Sequence, residues 1–188
     1  MSVFFLNWYV LLICISLGCA GNNSGESIPR DESKEFANPE RVTILGYNDH
    51  AMEPHLSPDG HTLYFVDGCF AARGIPQTAD ILIAERSGKN FLRPANSAVL
   101  MKQINTDLLE YASAVSASGL EIFFTRLKGD IPAIYTATRT STSAPFNAPK
   151  KIQAISGFVE GPALSNDEKL LYYHRYENNR FVIYRVKR

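Results

Sequence analysis

The 188-residue sequence has no surplus of either charge: 19 Lys and Arg stand against 19 Asp and Glu, a formal net charge of zero. A nucleic-acid-binding face replaces phosphate counterions with clustered cations, so a balanced chain argues against that class of partner. Cysteine is scarce. Of three, Cys14 and Cys19 fall at the N-terminus and Cys69 is alone in the body, so no intramolecular disulfide is available there. No apolar run reaches the ~20 residues that a membrane-spanning helix needs. Catalytic motifs are missing as well: there is no Gly-x-Ser-x-Gly elbow, no phosphate loop and no His-Glu-x-x-His. The four histidines, His50, His55, His61 and His174, lack metal-ligand spacing and read as hydrogen-bonded or solvated side chains. No cofactor and no metal are expected. What remains is a globular composition, 45% hydrophobic and 20% charged, at a length suited to one domain.

The first apolar stretch, residues 3–17, is 15 residues long, the size of a secretory h-region. It ends at Ser16-Leu17-Gly18-Cys19, a small residue directly before a cysteine. This resembles a bacterial lipobox, and the resemblance implies cleavage before Cys19 and lipidation of its thiol. Ser16 stands where an aliphatic residue is usual, and no Lys or Arg precedes Arg30. The alternatives are an ordinary secretory signal or an uncut anchor. The polar run after Cys19 (Ala20, Gly21, Asn22, Asn23, Ser24, Gly25) favours the lipoprotein, since a stop-transfer anchor would carry basic flanks. Residues 1–18 are therefore read as a lipoprotein signal peptide. Residues 19–40, polar and without apolar periodicity, are read as a flexible tether to the membrane.

Residues 41–188 read as three copies of one unit. His55-Leu56-Ser57-Pro58-Asp59-Gly60 leads into His61-Thr62-Leu63-Tyr64-Phe65-Val66. Ala114-Val115-Ser116-Ala117-Ser118-Gly119 leads into Leu120-Glu121-Ile122-Phe123-Phe124-Thr125, and Ala163-Leu164-Ser165-Asn166-Asp167-Glu168 into Lys169-Leu170-Leu171-Tyr172-Tyr173-His174. The marker serines Ser57, Ser116 and Ser165 are 59 and 49 residues apart. A second aliphatic element follows each copy, beginning at Ile81, Ile134 and Ile183, with spacings of 53 and 49, and ending at Arg86, Arg139 and Arg188. These segments are short, rich in β-branched and aromatic residues, and bounded by turn formers. Pro58 presets φ for a turn and Gly60 allows a left-handed exit, whereas Ala117-Ser118 and Asn166-Asp167 point to turns of a different type. A fourth strand is expected near residues 98–101 and 151–154. Four antiparallel strands per unit make a β-propeller blade, so the fold class is all-β, with three four-stranded blades.

The Ser-Pro-Asp-Gly-x-x-Leu-Tyr-Phe motif resembles the WD-like, Pro-Asp-type propeller repeat of TolB and its relatives. So does Ile104-Asn105-Thr106-Asp107 leading to Glu110-Tyr111, and Thr138 through Phe146 looks like a blade-linking segment of bacterial surface proteins of this type. The resemblance covers residues 41–188 and implies a bacterial envelope protein that works through protein interactions.

Blade three ends at Arg188 without a fourth strand, while residues 41–45 align with the fourth-strand segments. This pattern suggests a circular permutation of one strand. Propeller rings usually have 4–8 blades, so the expectation is a homodimer closing head-to-tail into a six-bladed ring, residues 41–45 completing the partner's last blade. The alternative is an incomplete ring.

Three glutamates precede the first strands. Glu53, Glu110 and Glu160 stand four, six and five residues before their marker serines. If first strands line a central channel, these are the candidate ligand-binding residues at its mouth, where gathered carboxylates raise one another's pKa or recruit a cation. The ordinary alternative is solvated entry-loop residues. Arg86, Arg139 and Arg188, with Arg126 and Arg175, are expected in pairing between blades or at the surface. The aromatics Tyr64, Phe65, Phe123, Phe124, Tyr172 and Tyr173 are expected in the core. The sequence thus points to a non-catalytic, lipid-anchored binding module for an envelope protein or glycan. The alternative is a hydrolase or lyase acting on carbohydrate through the three carboxylates.

Overall fold

The computed structural model describes residues 36–68 and 78–188. The signal peptide, Cys19, most of the tether and Cys69 lie outside the described residues. The chain divides into a unit of residues 1–39 and a unit of residues 40–188. In the first unit, residues 36–39 are exposed. The second holds all the secondary structure described below.

Among the described residues, twelve strands and one short helix form in this order: β1 (Ile44–Leu45), β2 (Met52–Leu56), β3 (Thr62–Val66), β4 (Ile81–Ser87), β5 (Asn90–Leu92), α1 (Ser97–Met101), β6 (Leu109–Val115), β7 (Glu121–Lys128), β8 (Ile131–Thr138), β9 (Lys150–Lys151), β10 (Phe158–Leu164), β11 (Leu170–Glu177) and β12 (Arg180–Lys187). They make three sheets. Sheet one has the order β1-β5-β4-β3-β2, sheet two β6-β7-β8-β9, and sheet three β10-β11-β12. All pairings within the sheets are antiparallel except β1 with β5. The all-β expectation holds, with 49% strand and 3% helix.

The repeat is reproduced bond for bond at the turns. Gly60, Gly119 and Glu168 each donate an N–H to the carbonyl of the marker serine, at 2.7, 2.9 and 2.8 Å. The serine hydroxyl in turn accepts the N–H of Thr62, Glu121 or Leu170 at 2.8–3.1 Å. All three turn-exit residues have positive φ, 73°, 68° and 58°. The turns therefore share one geometry, contrary to the expectation that turns two and three would differ. Ser118 and Asp167 contact the marker hydroxyl as Asp59 does, so any short polar side chain at that place suffices. The bond from the Arg86, Arg139 or Arg188 N–H back to the hairpin (His61, Leu120 or Lys169 carbonyl) recurs as well.

Between the sheets lie apolar seams. Tyr64, Val66, Ile81 and Ile83 of sheet one meet Tyr111, Val115, Ile122 and Phe124 of sheet two. Phe123 and Ile134 on the other face of sheet two meet Val159, Leu171 and Tyr173 of sheet three. Each such side chain, fully buried, contributes roughly 1.5–3 kcal/mol. Five of the six strand aromatics are buried as expected. Tyr172, on the outer face of sheet three, is only half-buried.

Two strand assignments differ from expectation. Residues 97–101 form α1, not a fourth strand, and send Leu100 and Met101 into the first seam. Ala, Leu and Met are strong helix formers, and Pro94 and Asn96 break any strand leading into them. The fourth strand of sheet one is instead β5, reached by a two-residue hairpin in which Ser87 pairs with Asn90 and Gly88 has φ of 61°. In sheet two the fourth strand is β9, which overlaps the expected place at Lys151. Residues 41–45 do not act as a permuted fourth strand in this chain. Ile44 and Leu45 pair in parallel with Phe91 and Leu92, making β1 the fifth strand of sheet one. Tyr47 then packs edge-on against Phe65, ring centroids 5.1 Å apart.

Candidate functional site

The first strand of each repeat, β2, β6 and β10, carries a one-residue bulge at the same place. The register slips between Met52 and His55, between Tyr111 and Ala114, and between Glu160 and Ala163. In each case the residue four before the marker serine has left-handed φ: Glu53 (49°), Ala112 (49°) and Gly161 (66°). A bulge bends its strand and re-aims side chains. Gly161 is required by more than φ, since a Cβ there would lie 2.9 Å from the His174 ring.

This register separates the three glutamates that sequence reasoning grouped. Glu53 is the bulge residue itself, Glu160 is one step before the bulge, and Glu110 two steps before. Side chains alternate across a strand, so Glu110 and Glu160 point to opposite faces of their sheets. Glu110 is fully buried. It accepts 2.6 Å bonds from Arg126 Nε and from Thr106 Oγ1, and a 3.1 Å bond from the Thr106 N–H. Arg126 also donates to the Ile104 carbonyl at 2.7 Å. This is an internal ion pair tying the segment before β6 to β7, and Glu110 is not a ligand-facing group.

Glu53 and Glu160 do come together, around two consecutive residues of β6. Glu53 accepts the Ala112 N–H at 2.7 Å, and Glu160 accepts the Tyr111 hydroxyl. Glu160 also contacts His174 Nε2 at 3.2 Å, on a partly exposed flank. Burial raises the Glu53 carboxyl above its ordinary value. The Ala112 N–H opposes that shift and the nearby Glu160 charge adds to it. Burial also pushes the Tyr111 hydroxyl far up, reinforced by Glu160. Tyr111 is thus held neutral as a donor to Glu160. His55 completes this strip: its Nε2 accepts the Val115 N–H at 3.3 Å, and burial lowers its pKa.

The strip is a set of ties between adjacent sheets. Bulge N–H groups of sheets two and three are accepted by the preceding sheet, Ala112 by Glu53 and Gly161 by Thr125 Oγ1 at 3.1 Å. Glu168, at the glycine place of turn three, reaches back to the Ala117 N–H of turn two at 2.5 Å. Sequence reading missed Tyr111 and Ala112 as partners. The signal was present in the unequal offsets of four, six and five, because three side chains at different steps of one bulge cannot share a direction.

The repeated arginines serve pairing. Arg86 and Arg139 donate from Nε to the turn carbonyls of Gly60 and Gly119, at 2.6 and 2.8 Å. Arg139 also reaches the Tyr64 hydroxyl across the first seam. Arg188 bonds Glu121 of sheet two at 2.9 Å. Arg126 and Arg175 lie over Tyr135 and Tyr184 at equivalent places. Among the described residues no group of three or more His, Cys, Asp or Glu side chains is arranged to hold a metal ion. No helix there is long and apolar enough to cross a membrane.

Comparison with known proteins bears on the fold. No protein-family model matches the chain, and no curated protein matches it. Among solved structures, a putative TolB from Agrobacterium tumefaciens is similar over 79% of this chain, with a TM-score of 0.55 and 19% identity. The matched part is 47% of that protein, so the chain spans about half its length. At that identity the likeness shows the fold alone: this chain has a TolB-like, antiparallel β architecture.

Proposed function

We propose that the protein is a non-catalytic, lipid-anchored protein of the bacterial envelope, whose repeated sheets serve as a protein-binding module. The TolB-like fold supports the binding role, since the resemblance implies work through protein interactions. The lipobox-like segment at Cys19 supports the anchor. The observation that carries the non-catalytic reading is the disposition of the three glutamates. Glu110 is neutralised by Arg126, and Glu53 and Glu160 are taken up by the Ala112 N–H, Tyr111 and His174. A glycosidase needs two carboxylates about 5–10 Å apart that both face substrate, and these glutamates are aimed at the chain's own groups. A second copy completing the ring would require β1 to leave β5 and Tyr47 to leave Phe65, so the reading favours a different protein as partner.

Two measurements test this. Metabolic labelling with a radioactive fatty acid should mark the wild type and not Cys19→Ala, and the variant should leave the membrane fraction. In-cell cross-linking should capture a discrete envelope partner, and the Glu53→Gln/Glu160→Gln variant should still capture it. Carbohydrate turnover by the wild type that vanishes in that double variant would establish the enzyme instead.

A further inference from the structure

We propose that the outer edge of sheet three is a docking site for an extended, acidic strand of a partner protein, added antiparallel to β12. This rests on the binding-module reading and names its surface and the chemistry of its ligand.

The free edge is identified by register. The Arg188 N–H donates to the Lys169 carbonyl, and β11 and β12 pair residue for residue from Glu177 and Arg180 onward. By the alternation of an antiparallel ladder, Arg180, Val182, Tyr184 and Val186 direct their backbone groups to β11. Phe181, Ile183, Arg185 and Lys187 direct theirs outward. Among the described residues no strand lies there.

The other two sheets show what belongs at this edge. Ile81, Ile134 and Ile183 are equivalent, each opposite the second strand of its sheet at Val66, Thr125 or His174. The Asn105 side chain bonds both the N–H and the carbonyl of Ile81, each at 3.0 Å. The Ile134 carbonyl accepts the Ile152 N–H at 3.0 Å, and the Thr138 carbonyl accepts that of Asn147 at 2.8 Å. Ile183 and Lys187 occupy the matching places, and among the described residues no strand or side chain is bonded to their outward backbone groups.

Charge selects the occupant. Arg180, Arg185, Lys187 and Arg188 lie on or directly after β12, with Lys169 beside them. Only Arg188 has a carboxylate within ion-pair distance among the described residues, Glu121. Between this edge and sheet two lies a cavity of about 270 Å³. Its walls include Phe123, Ile152, Leu164, Leu171 and Val186, and its charged lining is Lys169, Lys187 and the Arg188–Glu121 pair. Lys169 and Lys187 are thus the cations there without a carboxylate in ion-pair distance among the described residues. A strand with alternate apolar and acidic residues fits: one row of side chains enters the apolar groove and the carboxylates meet the cations. A second copy of β12 would set four cations beside four, which disfavours self-pairing.

The test uses the full-length chain in detergent and a labelled nine-residue peptide of alternating glutamate and valine, read by fluorescence anisotropy. A lysine–valine peptide is the control. The acidic peptide should bind, weaken about tenfold or more between 50 and 300 mM salt, and lose about tenfold in affinity with Arg185→Glu/Lys187→Glu. Ile183→Pro removes an outward N–H and leaves the β11 ladder intact, so it should abolish binding with the fold retained by circular dichroism. Ile183→Ser, which keeps that N–H, should still bind. No binding of the acidic peptide, equal binding of the basic one, or unchanged binding by Ile183→Pro overturns the proposal. So does a wild-type dimer that Ile183→Pro converts to monomer, which would make a second copy the occupant. If the peptide fails while the envelope partner is still captured, only the edge assignment falls. If capture also fails, the binding-module reading falls with it.

Discussion

The outward faces of the first and last sheets are built from the same repeat and end differently. Sheet one is finished by its own chain: β1 extends the sheet beyond β5, and Tyr47 with Ile44 covers Phe65 and Phe91. On sheet three Phe158, Tyr176 and Phe181 cluster on the outer side with ring centroids 5.1–6.1 Å apart, and among the described residues no further strand extends the sheet beyond β12. The equivalent isoleucines state the contrast: Ile81 and Ile134 are 0% and 1% exposed, and Ile183 is 70% exposed. The same side chain in the same register is core in two places and surface in the third. Burial here is a property of the neighbour, and among the described residues the neighbour is supplied at one end only.

That contrast can be broken in several ways. The largest effect belongs to the inner seam. Glu110→Ala leaves the mostly buried Arg126 guanidinium without its carboxylate partner and should cost about 3–5 kcal/mol by urea unfolding, while Glu53→Gln, on the half-exposed strip, should cost far less. Next, Ile134→Ala should lose about 2–5 kcal/mol, and Ile183→Ala should stay within roughly 0.5 kcal/mol. Similar losses at the two positions would mean that the outer face of sheet three is covered in solution. At the covered end, Tyr47→Ala removes the edge-on contact with Phe65 and should cost about 1–2 kcal/mol. An unchanged midpoint would show that the N-terminal segment does not close sheet one.

The smallest effect is a pH dependence centred on Asp80, directly before β4. Burial, helped by Asp67 and Glu110, raises the Asp80 carboxyl to about 6. A group whose folded value lies above its unfolded one binds its proton more tightly when folded. Its stabilisation is complete below about pH 4 and is lost as pH rises through 6. Relative to Asp80→Asn, the wild type should therefore gain melting temperature as pH falls from 7 toward 4; Glu53, raised by burial, acts in the same sense, and His55, lowered by burial, opposes it in both proteins. Asp59 and Asp167, lowered chiefly by the hydroxyls of Ser57 and Ser165, act in the opposite sense and below pH 4. The places matching Asp80 in sheets two and three are Ala133 and Val182, so no such step is expected from them.

Much of the fold was legible because the repeat is written in turn residues. Ser57, Ser116 and Ser165 locate three hairpins, and strand alternation follows from them. The turn tolerates Ala-Ser and Asn-Asp in place of Pro-Asp because its bonds come from backbone and one short polar side chain. The helix at Ser97–Met101 was not legible, since a short apolar run fits strand or helix equally until its neighbours are known. The candidate site was read by residue type and not by direction. Glu53, Glu110 and Glu160 were visible as a set, but a bulge shifts side-chain direction by one step per residue. Their different offsets sent one into the interior and the other two to β6.

The sequence by itself determined the three hairpins and their order, because these depend on local turn chemistry and period-two patterning. Only the tertiary structure decided which glutamates meet, where residues 41–45 pair, and which of three equivalent isoleucines is exposed. Those outcomes depend on what packs against each strand, and contacts between segments far apart in sequence leave no local signature in the chain.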